Sequence, residues 1–124
     1  MSGQLILIAG PYRSGTDGDP VKIALNLKHL ERAALDVYER GHMPLIGEWA
    51  ALPLAAMAGS QTVGDAISEH YMYPVAHRLL QRCDAVYRID GASKGADQDV
   101  RLALEWGKAV YRTLDEVPVA TPSL

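Results

Sequence analysis

The chain contains a single cysteine, so no internal disulfide can form and no cysteine-based metal site is available. Cys83 lies in an apolar setting just before "DAVYRI" and reads as a core thiol. Clusters of Lys and Arg are also missing, and the formal charge of -3 argues against a dedicated surface for polymeric nucleic acid while leaving a mononucleotide admissible. No apolar run approaches the roughly 20 residues needed to span a bilayer. The opening "MSGQLILIAG" carries no basic leader, and a cytoplasmic protein without membrane association is expected. His-x-x-x-His and HExxH patterns are absent, so neither a metal nor a cofactor is expected. Without a Gly-x-Ser-x-Gly elbow or a glycine-rich cradle after Cys83, serine-hydrolase and thiol mechanisms are poor fits.

What is present is ordinary globular composition, 48% apolar and 22% charged, in 124 residues, the size of one domain over 1–124. "QLILIAG" (4–10) is a continuous apolar run ended by Gly10 and Pro11, as suits a strand buried on both faces of a parallel sheet. Asp19 is a good N-cap and Pro20 a good first helical residue; Ile23, Leu27, Leu30, Ala34, Val37 and Tyr38 then recur at helical spacing to about Arg40, before Gly41. "MPLI" is a second strand, and "EWAALPLAAMAG" is apolar enough for a helix but holds Pro53. A helix over Ala66 to Arg82, bent or restarted at Pro74, a strand at "DAVYRI", a helix at "DQDVRLALEWGK" and a strand at "AVYRT" follow. The tail "VPVATPSL" reads as loosely held. Strands alternate with helices, which predicts a three-layer α/β/α sandwich with a mainly parallel, flavodoxin- or Rossmann-like sheet. Ligands of such folds sit where the loops after the strands converge.

Two of those loops stand out. "AGPYRSGT" (9–16) has the Gly10-x-x-x-x-Gly15-Thr16 spacing of a triphosphate loop, but Ser14 occupies the position of the required Lys. What remains suits a single phosphate: glycines that permit close backbone approach, the Ser14 and Thr16 hydroxyls and the Arg13 donor fork. A plain strand-to-helix turn with a solvated Arg13 accounts for the same residues. In "DGASKGAD" (90–97), Ser93 and Gly95 precede a helix whose first turn is expected to carry Asp97 and Asp99. Helix-dipole stabilisation explains such carboxylates, and so does a nucleophile or general base facing the phosphate loop.

Together, "LILIAGPYRSG", "ERGHMPLI" and "CDAVYRIDGASKGADQDVRLALEWGKAVY" resemble the nucleoside 2-deoxyribosyltransferase superfamily, which includes the 2'-deoxynucleoside 5'-phosphate N-hydrolases. In that family an acidic residue eight positions before a Gly-Lys or similar pair is catalytic, and eight back from Gly107 stands Asp99. The resemblance implies that Asp99 attacks or stabilises the sugar's anomeric carbon as the base departs, with water or a second base completing the reaction. It also implies that Gly10, Arg13, Ser14, Gly15 and Ser93 hold a 5'-phosphate, with Tyr12, Gly95 and Asp97 lining the pocket.

Three departures accompany the resemblance. The family's acid is usually Glu, and Asp is shorter by about 1.5 Å, where a misplacement of about 1 Å can cost a hundredfold in rate. Leu7 stands where the family has a tyrosine, with Tyr12 nearby, and the Asp that assists the leaving base falls near Ala76, beside His77. A glycosidase or transferase is therefore one expectation, a nucleotide-binding or sensing module a second, and a structural domain a third. A homodimer or higher homo-oligomer is expected through Trp49, Leu52, Leu54 and Met57 of the apolar middle segment, a surface of the kind the family uses to pair.

Overall fold

The computed structural model describes residues 2–121. Four strands, β1 (Leu5–Ala9), β2 (Met43–Ile46), β3 (Ala85–Arg88) and β4 (Ala109–Tyr111), form one sheet in the order β2-β1-β3-β4. Every pairing is parallel, with Ile6 opposite Pro44 on one side and Ala85 on the other. Helices α1 (Pro20–Glu39), α2 (Gly47–Met57), α3 (Ala66–Arg82) and α4 (Lys94–Glu105) make the connections.

β1 shows why its run is apolar without interruption. Ile6 and Ile8 enter one core with Leu30, Ala34 and Val37 of α1, while Leu7 and Ala9 enter another with Leu80 of α3 and Val100 and Ala103 of α4. Alternate side chains of a strand point to opposite faces, so a strand covered on both sides needs apolar residues at every position. Cys83 belongs to the second core, where burial raises its thiol pKa to about 11, as expected of an unreactive packing residue.

α1 starts as its sequence predicts: the Asp19 carboxylate accepts from Val21 N at 2.9 Å and Pro20 fills the first turn. α3 does not restart at Pro74: the helix continues through it as one element. Pro74 and His70 both lie on the exposed face, where the carbonyl that loses its helical partner is open to water. α2 likewise runs through Pro53, burying Gly47, Ala51 and Ala55. These small residues at four-residue spacing let α2 approach α3 closely; a Cβ on Gly47 would lie 3.4 Å from that of Ala76.

The tail is also better held than expected. Val117 is fully buried, its carbonyl accepts from the Arg40 guanidinium at 2.9 Å, and Ala120 N donates to Arg40 O at 2.7 Å. His42 is buried: Nδ1 accepts from Gln4 N at 2.9 Å, which leaves Nε2 to donate to Pro118 O. Residues 122–124 of the predicted tail lie outside the described residues. No described helix is long and apolar enough to cross a membrane.

Candidate active site

Strand order reverses between β1 and β3, and the crevice outside their carboxyl ends is where an open parallel sheet leaves room for a ligand. A cavity of about 410 Å³ occupies that position. It is lined by the end of β1 and the β1–α1 loop, the start of α2, α3 between Glu69 and Ala76, and the β3–α4 loop with the first turns of α4.

Seven of the nine residues singled out from the sequence line this cavity: Gly10, Tyr12, Arg13, Ser14, Ser93, Gly95 and Asp99. Gly15 does not; with φ of +72° it turns the chain away and lines a smaller groove on the other side of the loop, with Asn26, His29 and Asp90. Asp97 does not reach the cavity either, since its Oδ1 accepts from Arg88 Nη2 at 3.0 Å.

The helix boundary separates the two aspartates. α4 begins at Lys94, three residues earlier than its sequence pattern suggests, because the Ser93 hydroxyl caps it by accepting from Ala96 N at 3.1 Å. Gly95 therefore belongs to the first turn and Asp99 to the second, on a face that also buries Ala96, Val100 and Ala103. Gly95 has a packing reason as well: a Cβ there would meet the Tyr73 ring at 2.9 Å.

Asp99 is the electrostatic centre of the cavity. Burial first, then the neighbouring Glu48 charge, pushes its carboxyl up to about 7, against the opposing pull of Arg88. Glu48, at the start of α2, is itself raised by burial. Tyr12 is raised by burial and secondarily by Glu48. His77 of α3 approaches from a third direction, its Nε2 3.9 Å from Asp99 Oδ1. That nitrogen is buried and has no hydrogen-bond partner among the described residues.

The rim is different in kind. Arg13 Nη1 donates to Glu69 Oε1 at 2.6 Å, both side chains being about half exposed. The guanidinium lies against Gly64, whose φ of +92° and missing side chain leave the space it fills; a Cβ there would come within 2.4 Å of it. The loop behind is braced by Asn26, which donates to Tyr12 O at 2.8 Å, and by Thr16, whose hydroxyl donates to Arg13 O. Thr16 is thus a buried loop brace and not a ligand group.

Sequence reasoning missed Glu48, Glu69 and Tyr73 as cavity residues. Glu48 stands inside an apolar segment that drew attention only as an interface; a lone carboxylate in "GEWAALPLAAM" was the available signal.

No family model matches the chain, and no curated protein matches it. Among solved structures it is similar to the 2-deoxyribosyltransferase of the psychrotolerant bacterium Bacillus psychrosaccharolyticus, described as a suitable biocatalyst for the industrial synthesis of antiviral and antitumoral nucleosides. The TM-score is 0.61 at 14% identity, covering 97% of this chain and 99% of that one. The chain has a nucleoside 2-deoxyribosyltransferase-like fold.

Proposed function

We propose that this protein cleaves or transfers the N-glycosidic bond of a nucleoside 5'-monophosphate or deoxynucleoside, with Asp99 as the carboxylate that meets the anomeric carbon. The observation that carries the reading is a buried carboxyl on the wall of a ligand-sized cavity, at the switch point of the sheet and across from the Gly10–Ser14 loop. A carboxylate there stabilises, or bonds to, the oxocarbenium-like centre that forms as the base leaves. The similar solved structure is of a deoxyribosyltransferase, which supports the same reaction class.

Arg13 at the rim supplies a planar donor fork for a phosphate, with Ser14 and the Gly10 backbone behind it. Glu69 occupies that fork in the free protein, so a bound phosphate would replace one anionic partner of Arg13 by another. Ser93 Oγ already accepts from Ala96 N, and its free hydrogen remains to be donated to a phosphate oxygen. The reading also includes a homodimer through α2, where Trp49, Leu54 and Met57 are exposed in the single chain; a monomeric mass at micromolar concentration would overturn that part.

The second reading, a binding or sensing module, is favoured by Leu7, an inert side chain on the cavity wall, and by the short side chain at position 99. One experiment separates the two. Free-base release from deoxy- and ribonucleoside 5'-monophosphates and the parent nucleosides is followed by chromatography, beside Asp99→Asn. Release that disappears in the variant is the expected result; thermal stabilisation by a nucleotide without any release would leave the binding module.

A further inference from the structure

Resting on the reading just given, the geometry points to Glu48 as the acid of the site: it delivers a proton to the departing base while Asp99, beside His77, takes the sugar. Three observations carry this. Glu48 and Asp99 line the same cavity from different helices, α2 and α4. Ala76, the position near which the family resemblance puts the base-assisting Asp, has no proton to give, and it packs directly on Gly47, the residue before Glu48. Glu48 thus lines the cavity from the helix packed against that position. Finally, His77 Nε2 is buried, unpartnered among the described residues, and 3.9 Å from Asp99 Oδ1.

Burial raises both carboxyls and the Glu48 charge raises Asp99 further, which favours keeping a proton in the cavity. In the empty cavity burial favours that proton on Asp99. A His77 N–H moving about 1 Å closer to Asp99 Oδ1 would reach hydrogen-bond distance and favour the charged form, leaving the proton on Glu48. Tyr12 and Arg13 face the same space from the β1–α1 loop, and Lys94 from α4. From α3 come Glu69, held by Arg13, and Tyr73, and the buried His77 Nε2 has no partner among the described residues.

The step balances without an external reagent. An Asp99 oxygen forms a bond to C1', the C1'–N bond breaks with its electron pair passing to the base nitrogen, and the Glu48 proton neutralises the base. Water then attacks C1', its proton returns to Glu48, and Asp99 departs as carboxylate. With a second base in place of water, Glu48 accepts that base's proton instead.

The test compares guanosine and deoxyguanosine 5'-monophosphates with their N7-methyl counterparts, whose positively charged base leaves without needing a proton. In Glu48→Gln, release from the unmethylated nucleotides should fall by about 10² to 10⁴, the range for loss of a general acid, with the methylated ones little changed. In the native protein the unmethylated nucleotides should show a rate that declines at alkaline pH, as the shared proton is lost, and the methylated ones no such decline. The acid limb on the methylated nucleotides should move to lower pH in Glu48→Gln, because the Glu48 charge no longer raises Asp99. A His77→Asn variant should move that limb to higher pH. Equal losses on both substrate types, no loss on either, identical native pH profiles, or no cleavage of the methylated nucleotides by the native protein each overturn the assignment. Absence of release from every nucleotide by the native protein overturns the underlying reaction instead. The native pH comparison decides the matter even if the variant fails to fold.

Discussion

The rim and the interior of the cavity both bring charged groups together, yet they differ in what those charges can do. At the rim, Arg13 and Glu69 form a direct 2.6 Å ion pair whose side chains are 40% and 47% exposed. Inside, Asp99 makes no direct bond to Glu48 or His77, but with its side chain 11% exposed it titrates near 7. Water screens the first pair, and exposed ion pairs contribute only about 0–1 kcal/mol. Its exclusion makes the second group responsive to neighbours it does not touch. On the function proposed above, the chemistry belongs to the interior and the rim to recognition.

Asp99→Asn tests that contrast most severely. Base release should fall by at least about a thousandfold, as for loss of a group that acts on the reacting centre. The same variant should be more stable than the native protein at pH 8. A carboxyl raised to about 7 in the fold favours folding while it stays neutral, and that contribution is lost as pH rises from the unfolded value near 4 to about 7. Above pH 7 the buried charge opposes folding by up to about 4 kcal/mol, which the amide relieves. Thermal melts at pH 4 and pH 8 should show the gap between variant and native protein widening with pH. A constant gap would mean that Asp99 is not the buried titrating group.

Gly64→Ala acts on the rim with an intermediate effect. Its positive φ costs an L-residue roughly 1–2 kcal/mol, and the new methyl must displace the Arg13 guanidinium. Stability should drop by that amount, and nucleotide affinity should change with it, since Arg13 is no longer held at Glu69. Arg13→Ala is expected to change stability least, within about 1 kcal/mol, while weakening nucleoside 5'-monophosphates relative to the parent nucleosides in a titration at low salt. A large loss of stability in Arg13→Ala would mean that the rim is structural, and the comparison would fail.

Much of this was legible in the residues themselves. The alternation of apolar strands with periodic helices announced the layers, and Asp19-Pro20 marked the start of α1 to the residue. α4 starts three residues before its sequence pattern suggests, because "GASKG" looks like a turn until the Ser93 hydroxyl is seen to cap Ala96 N. That boundary is what separates Asp97 of the first turn from Asp99 of the second. Gly15 and Thr16, conspicuous in the loop by their spacing, prove to turn and brace the backbone. Pro74 suggests a bend or a restart, and α3 does not restart there: Pro74 and His70, whose carbonyl loses its helical partner, both lie on the exposed side of the helix.

Local pattern determined the element types, their order and the two loops that meet at the sheet's carboxyl edge, because periodicity and turn chemistry depend on residues within a few positions of one another. Only the packed structure decided which carboxyls share a cavity. Glu48, His77 and Asp99 stand on three helices and are brought together by contacts such as Gly47 on Ala76, which no short window of sequence contains. Burial is likewise a property of the assembled layers, and it is burial that turns an ordinary aspartate into one poised near neutral pH.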